Sequence, residues 1–136
     1  GTIWNGMIVA DIGESDDTGV DLLLMSLDEW EEPVSNIDKI LSDYSVNGIS
    51  GWRLPTHNEA SVLRARFSGS GLSELNEQIA EYGEDLNALD GEERYLCTKA
   101  DVYYSFKFVG GSSTTKAGEK RSYYIRLVKT YRMTLD

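Results

Sequence analysis

The chain has 136 residues, of which 40% are apolar and 26% charged, and its formal net charge is −10. This length predicts a single domain over residues 1–136 with a hydrophobic core. The acidic balance argues against nucleic acid as a main partner, because phosphate binding needs clustered cations. No run reaches the roughly 18 apolar residues of a membrane span, and the single cysteine, Cys97, excludes an internal disulfide.

The charge is distributed unevenly along the chain. Residues 1–50 carry eleven acidic side chains and one basic one, whereas residues 101–136 carry three acidic and seven basic ones. We expect the basic C-terminal part to face the acidic N-terminal half, since blocks of opposite charge attract each other. The alternative is that the basic part attracts an anionic ligand.

The first predicted elements are strands at residues 3–10 and 20–27, which form a hairpin. Between them, Asp11 to Gly19 is rich in Asp, Ser and Gly and predicts a turn or loop. Calcium coordinates six to eight oxygen atoms, which carboxylate-rich loops supply. The hairpin therefore offers a candidate calcium site, although its spacing does not fit an EF-hand, and a solvated acidic turn is the alternative. The candidate ligands are Asp11, Asp16, Asp17 and Asp21.

A first helix is predicted after the acidic segment "DEWEEPVSN". Ser35 and Asp38 have the spacing of a capping box, in which two side chains satisfy free N–H groups at the helix start. The apolar positions that follow recur at helical spacing. They are Ile37, Ile40, Leu41 and Tyr44.

The segment "SGWRLPTHNEASVLRARF", at residues 50–67, predicts a corner followed by a second helix, from about residue 58 to 67. Thr56 and Glu59 again have the capping-box spacing, and Pro55 keeps the preceding residue extended. We expect Trp52 and Leu54 to be buried. Arg53 lies between these two and is expected to donate to loop carbonyls, since a guanidinium has five donors. The segment Trp52, Arg53, Leu54, Pro55, Thr56 and Glu59 is therefore interpreted as scaffold.

The remaining elements are a short helix and three strands. "SGSG" at residues 68–71 is expected to end the second helix, and apolar spacing then predicts a third helix at residues 72–79. From Arg94 the period changes to two, so "RYLCTK", "VYYSFKFVG" and "SYYIRLVKTYRM" predict strands, with a hairpin loop at Gly110–Arg121. In these strands Tyr104, Phe106 and Phe108 share one face, and Tyr123, Ile125 and Leu127 share another. This order predicts an α+β fold with small antiparallel sheets and two to three helices.

Aromatic side chains in the strands suggest a ligand-binding surface, since sugars stack on exposed rings beside planar hydrogen-bonding groups. Successive strand residues point to opposite faces, so one tyrosine of each adjacent pair points outwards. We predict Tyr103 and Tyr124 as these outward members. The candidate ligand-binding set is Trp30, Tyr103, Arg121, Tyr124 and Arg126.

The sequence gives little support for catalysis. Cys97 lies in an apolar strand, where a lone cysteine behaves as a small buried apolar residue. His57 is the single histidine, so a multi-histidine metal site is excluded. No nucleophile elbow is present. We therefore expect that the protein is not an enzyme.

At the level of motifs the chain resembles a bacterial family, namely the C-terminal domains of Legionella collagen-like adhesins and the related paralogous domains of Fibrobacter. Those domains show Gly-x-Trp-Arg-Leu-Pro-Thr-x-x-Glu, which is similar to Gly51–Glu59, although here Trp52 follows Gly51 directly. Their last strands resemble "YYSFKF" and "YYIRLVK". Their aromatic-Trp-Ser-Ser strand is replaced by "RYLCTK".

This resemblance implies a C-type-lectin-like fold, of the branch shared with formylglycine-generating enzyme. That enzyme uses a cysteine pair with copper, and Cys97 alone does not supply the pair. The lectin calcium motifs Glu-Pro-Asn and Trp-Asn-Asp are absent, so calcium binding would depend on the carboxylates of the acidic hairpin. No other cofactor is expected. The resemblance also implies an extracellular or bacterial cell-surface location, including an outer-membrane lipoprotein. Residues 1–136 would then be the C-terminal part of a longer exported protein.

Two functions are consistent with this reading. The first is a non-enzymatic surface or secreted binding domain for adhesion or glycan recognition, whose partner is a glycan or a surface protein. The alternative is a structural or assembly module of a surface fibre or lipoprotein. Such a module would bind another protein through its basic C-terminal edge or its last strand.

Overall fold

The structure is a computed structural model, and it describes residues 1–110 and 114–134. In these ranges the strands are β1 (Thr2–Trp4), β2 (Met7–Asp16), β3 (Gly19–Ser26), β4 (Trp30–Pro33), β5 (Tyr95–Lys99), β6 (Val102–Phe106), β7 (Thr115–Lys116), β8 (Ser122–Ile125) and β9 (Val128–Thr134). The helices are α1 (Ile37–Asp43), α2 (His57–Arg66) and α3 (Ser70–Tyr82), with a 3-10 turn at Val34–Asn36. The predicted α+β class is confirmed.

The strands form two sheets. A four-stranded sheet has the order β1-β2-β3-β9, and a five-stranded sheet has the order β4-β8-β5-β6-β7. Neighbours are antiparallel except β5 and β8, which pair in parallel at Tyr95 and Tyr124. Within the described ranges, no helix is long and apolar enough to cross a membrane.

The hairpin of β2 and β3 is confirmed, but the single strand predicted at residues 3–10 is wrong, because it is divided between β1 and β2 by a turn at Asn5 and Gly6. The predicted loop at residues 11–19 is also wrong. β2 continues to Asp16 through two irregularities, and β3 begins at Gly19. The Asp16 carboxylate closes this tight turn, because it accepts from the N–H groups of Thr18 at 2.8 Å and Gly19 at 3.1 Å. The polar residues therefore lie on an extended strand pair.

The two ends of the predicted loop at Gly110–Arg121 are described, and residues 111–113 lie outside the described ranges. The described part includes β7, which pairs with β6. This short strand was not predicted.

The last predicted strand is also different, since it is two strands in two sheets. β8 belongs to the five-stranded sheet and β9 to the four-stranded sheet, with the break at Arg126 and Leu127. The passage of the chain from one sheet to the other at Arg126 and Leu127 is called the crossing below. Ser26 fixes it, because its N–H donates to the Leu127 carbonyl at 2.8 Å and its hydroxyl accepts from the Leu127 N–H at 2.9 Å. The sequence pattern is equally β-like on both sides of the break and gives no sign of it.

Arg126 occupies the crossing and is 2% exposed. Its Nε–H donates to Glu29 Oε1 at 3.1 Å. Its other nitrogens donate to the carbonyls of Ser26, Leu27 and Asn87 at 2.7–3.0 Å. A guanidinium can be buried at acceptable cost only when it is paired and hydrogen-bonded in this way.

The sheets separate two hydrophobic cores. The α2/α3 core lies under those helices and includes Leu63, Phe67 and Leu75. The α1 core includes Ile37 and Trp52. Neighbouring residues of central strands enter different cores, since side chains alternate along a strand. The predicted faces are confirmed: Tyr104, Phe106 and Phe108 contact the α2/α3 core, and Tyr123, Ile125 and Leu127 the α1 core.

The predicted corner before α2 is confirmed. Trp52 is 3% exposed and its indole N–H donates to the Ile49 carbonyl at 2.9 Å. The capping box is present: the Glu59 N–H donates to Thr56 Oγ1 at 3.2 Å, and the Thr56 N–H donates to Glu59 Oε1 at 2.9 Å. Leu54 is buried as expected.

Arg53 has a different main partner from the one predicted. It forms a bidentate pair with Glu59, in which Nη2 donates to Oε2 at 2.8 Å, and it donates to one carbonyl, that of Leu54, at 3.3 Å. Its backbone pairs with Val128 of β9. Burial would raise the pKa of the Glu59 carboxyl, but the hydrogen bonds from Arg53 and Thr56 outweigh it and lower that pKa. Arg53 thus connects the capping glutamate of α2 to β9.

The other two helices are confirmed with corrected starts. Ser35 lies in the 3-10 turn, and α1 has no side-chain cap, so its predicted capping box is wrong. α3 begins at Ser70, because the chain turns at Gly69, where φ is +54°. A residue without a Cβ adopts this conformation readily.

The corner predicts two graded losses of stability. Trp52→Ala should lower the free energy of unfolding by about 3–5 kcal/mol, since it leaves a core cavity. Thr56→Ala should cost about 1 kcal/mol through the lost cap. Urea denaturation measures both, and an unchanged midpoint for Trp52→Ala would contradict its burial.

The burial of Arg126 at the crossing predicts that its substitution lowers the free energy of unfolding strongly, whereas substitution of Arg121 has little effect. Arg126→Ala should cost about 3–5 kcal/mol, because Glu29 keeps its buried charge without a cationic partner. Arg121→Ala is the matched control, since Arg121 is exposed and should change stability by less than about 1 kcal/mol. Equal midpoints for the two variants would contradict the structural role of Arg126.

Candidate functional site

Trp30 stands between two depressions at the edge of the five-stranded sheet. It opens β4, the outermost strand, and pairs with Ile125 of β8. The large groove has a volume of about 420 Å³ and is lined by Trp30, Glu32, Asn36, Lys39, Ile40, Asp43 and Tyr44. The small pocket has a volume of about 260 Å³ and is lined by Glu29, Trp30, Glu31, Asn87, Ala88, Asp90 and Tyr124.

A chain of aromatic rings holds Trp30 in place. Its ring lies edge-on to Tyr44 at 4.9 Å between centroids, and Tyr44 lies edge-on to the buried Trp52 at 5.4 Å. The Tyr44 hydroxyl donates to Asp28 Oδ2 at 2.9 Å. Burial, followed by this hydrogen bond, raises the pKa of the Tyr44 phenol. Trp30 is therefore a half-buried ring on a rigid support.

The polar wall of the large groove comes from β4, the 3-10 turn and α1. Asn36 Nδ2 donates to Glu32 Oε2 at 2.8 Å, and Lys39 and Asp43 lie one helical turn apart. Beside a half-buried ring, a planar amide can donate to and accept from neighbouring hydroxyls, and a carboxylate can accept from them, while a sugar ring stacks. Sequence reasoning missed these four residues. For Lys39 and Asp43 the signal that could have found them is their spacing of four, which places both on the same face of α1, whereas Glu32 lies in β4 and Asn36 in the 3-10 turn.

The small pocket is acidic. Glu29, Glu31 and Asp90 line it, together with the ring of Tyr124. Partial burial and the surrounding carboxylates, chiefly Glu31 and Glu93, raise the pKa of the Tyr124 phenol. Tyr124 packs inwards against Tyr95 at 5.6 Å and remains partly exposed at the pocket wall.

The structure divides the predicted ligand-binding set. Trp30 and Tyr124 come together at the small pocket. Tyr103 is partly buried against the α1 core, and Arg121 is exposed above the ring of Tyr123 at 5.5 Å. Neither lines the groove or the pocket. Arg126 is interior and bound to protein groups, so a surface ligand does not reach it, and its assignment as a ligand contact is corrected.

The acidic hairpin faces basic side chains. Arg132 of β9 binds Asp16 at 2.6 Å and Asp21 at 3.1 Å, and Arg66 of α2 pairs with Asp11. Asp17 is exposed in the turn. In residues 1–110 and 114–134, no three His, Cys, Asp or Glu side chains gather as a metal site. Here the basic C-terminal part faces the acidic N-terminal half, as expected.

Two further sequence candidates lie apart from the groove and pocket. Cys97 is fully buried, and burial raises the pKa of its thiol to about 11. A thiol is a poor nucleophile at such a pKa, because the thiolate is the reactive form. His57 Nε2 lies 2.8 Å from Thr114 Oγ1.

Fold and surface define an α+β protein of two mostly antiparallel sheets with an aromatic, acidic rim at Trp30. Comparison of the chain with protein-family models, with curated proteins and with solved structures finds no match. A function for this chain therefore has to be inferred from its own residues.

The contacts of Asp16 in the acidic hairpin predict how thermal stability depends on pH. Hydrogen bonds from Thr18, with Arg132 nearby, lower the pKa of Asp16 from 3.8 to about 2. A carboxyl whose pKa is lowered in the folded state stabilises the fold above the unfolded pKa and loses this contribution as the pH falls through the folded value. Wild-type protein should therefore lose more thermal stability between pH 4 and about 2 than Asp16→Asn does. Parallel melting curves would contradict the role of Asp16.

Proposed function

We propose that the protein is a non-enzymatic glycan-binding domain and that the large groove beside Trp30 holds the sugar. The observation that carries this proposal is a half-buried indole on a rigid aromatic support, next to the planar polar groups of Glu32, Asn36 and Asp43. Stacking on the ring removes the apolar face of a sugar from water, and the polar wall orients its hydroxyls.

The motif at Gly51–Glu59 supports a proposal for the fold and the cellular location in which this binding takes place. Its resemblance to bacterial adhesin domains favours a C-type-lectin-like fold, within which the corner at Trp52 supports the ring at Tyr44. We propose that the chain acts in adhesion at an extracellular or bacterial cell-surface location, including an outer-membrane lipoprotein, and forms the C-terminal part of a longer exported protein. Trp52 thus connects the motif to the groove.

The first test is binding of labelled protein to a glycan array. Trp30→Ala should reduce binding by at least about tenfold, since the stacking surface is removed. Tyr82→Ala is the matched control, because Tyr82 is an aromatic residue that is 55% exposed and lines neither depression. Thermal unfolding checks that both variants remain folded. Equal loss in both variants, or none in Trp30→Ala, would refute the groove as the sugar site.

The same array with calcium and then with EDTA tests the acidic hairpin. Binding that EDTA abolishes, and that Asp17→Asn weakens, would support calcium at Asp11, Asp16, Asp17 and Asp21. The ion would then have to compete with Arg132 and Arg66 for three of these carboxylates.

The alternative function, assembly with another protein, is favoured by a different observation. β9 is an outer strand of the four-stranded sheet, and in the described part of the chain its free side pairs only at Val128, with Arg53. An open sheet edge is a ready template for a strand of another molecule. A blank array together with association in sedimentation experiments would favour this function.

A further inference from the structure

Two Asn-Gly pairs occur in the chain, and each forms a two-residue turn. Asn5 and Gly6 connect β1 to β2 with φ values of +52° and +80°. Asn47 and Gly48 form a separate turn before the corner, with φ values of +49° and +81°. Positive φ at both central residues is the mark of the type I′ hairpin turn, for which Asn-Gly is a preferred pair.

One side chain holds the two turns together. Asn47 Nδ2 donates to the backbone carbonyl of Asn5 at 2.6 Å, and Asn5 Oδ1 lies 3.2 Å from the same nitrogen. This contact is called the asparagine clasp below. Asn47 is the donor of the clasp, and Asn5 supplies the acceptors.

The surroundings of the two turns differ. A Cβ added to Gly48 would meet no atom within 4 Å, so the turn of Asn47 stands open to solvent. Gly6 is packed, because Asn47 Nδ2 and Val46 Cγ1 lie 3.2 and 3.3 Å from the position of such a Cβ. The turn of Asn47 is also an isolated bridge, whereas the turn of Asn5 joins two strands of the four-stranded sheet. A segment held by few backbone hydrogen bonds opens more readily, so the turn of Asn47 opens first.

We infer that Asn47 is a site of spontaneous deamidation and that this reaction releases the asparagine clasp. The Gly48 N–H takes no part in the two backbone hydrogen bonds of the turn, which join Val46 and Ile49. When the turn opens, the Gly48 nitrogen bonds to Asn47 Cγ, the Cγ–Nδ2 bond breaks, and ammonia leaves with the proton of that nitrogen. The reacting groups belong to adjacent residues, which favours ring closure, and glycine has no side chain to hinder it.

Water completes the reaction. It adds to either carbonyl of the succinimide ring, and the ring opens to aspartate or to isoaspartate. One water is consumed and one ammonia is released, so the step needs neither an oxidant nor a reductant.

Both products break the clasp. An ionised carboxylate only accepts hydrogen bonds, so at position 47 it faces the Asn5 carbonyl without a donor. Isoaspartate also adds a methylene to the main chain and disturbs the pairing of Val46 with Ile49. The Ile49 carbonyl accepts from the Trp52 indole, so the change extends to the corner before α2.

The first experiment follows both asparagines in the intact protein during storage in mildly alkaline buffer at body temperature. Trypsin places Asn47 in the peptide of residues 40–53 and Asn5 in that of residues 1–39, and mass spectrometry measures the amide-to-acid conversion in each. The initial rate at Asn47 should exceed that at Asn5 by at least about threefold. A synthetic peptide of residues 44–50 gives the rate without the fold. A rate at Asn5 that equals or exceeds that at Asn47, or an unchanged Asn47 once the synthetic peptide has reacted, would overturn the inference.

Two matched variants test the release of the clasp. Asn47→Asp removes the donor, whereas Asn5→Asp keeps an acceptor, and aspartate adopts the left-handed backbone of these turns as asparagine does. Hydrogen exchange of the Ile49 amide should be at least about fivefold faster in Asn47→Asp and unchanged in Asn5→Asp. The Leu127 amide, which donates to Ser26 Oγ, is the internal control and should exchange equally in both variants and the wild type. Equal exchange of the Ile49 amide in the two variants would show that Asn47 does not hold the turns together, and the inference would fall.

Discussion

The buried pair of Arg126 and Glu29 is the interaction on which both sheets depend. Arg126 lies where the chain leaves the five-stranded sheet for the four-stranded one, and it holds the carbonyls at the end of β3. Replacing it with an apolar side chain would leave those carbonyls without donors. The pair thus fixes the relative position of the end of β3, the start of β4 and the break between β8 and β9.

The same pair places the candidate site. Glu29 is followed directly by Trp30, so anchoring its carboxylate to Arg126 also fixes the first residue of β4. On the other side, Tyr44 and Trp52 support the indole from the α1 core. A ring held from two sides loses little conformational entropy when a ligand stacks on it. In the proposed glycan-binding function, this scaffold would preorganise the indole for stacking.

Features that depend on residues close together in the chain were predictable from sequence, whereas features that depend on distant residues were not. The capping box at Thr56 and Glu59 depends on residues three apart, and it was found. The change of sheets at Arg126 depends on a partner nearly a hundred residues away, which no local pattern carries. Trp30 and Tyr124 were named from their aromatic side chains in polar sequence surroundings, and the structure brings both to the small pocket. Lys39 and Asp43 in the wall of the large groove were missed because outer positions of a short helix resemble any solvated face.

The position of β9 has a consequence for biosynthesis. β3 pairs with β2 within a few residues, but its other neighbour, β9, lies more than a hundred residues later, with Gly19 opposite Thr134. While the chain emerges from the ribosome, one side of β3 therefore has unpaired backbone groups and apolar side chains such as Leu22 and Leu24 that are not yet covered. Sheets closed by such distant segments form slowly. The nascent chain thus has a period in which a chaperone that binds extended apolar segments would find its substrate at β3.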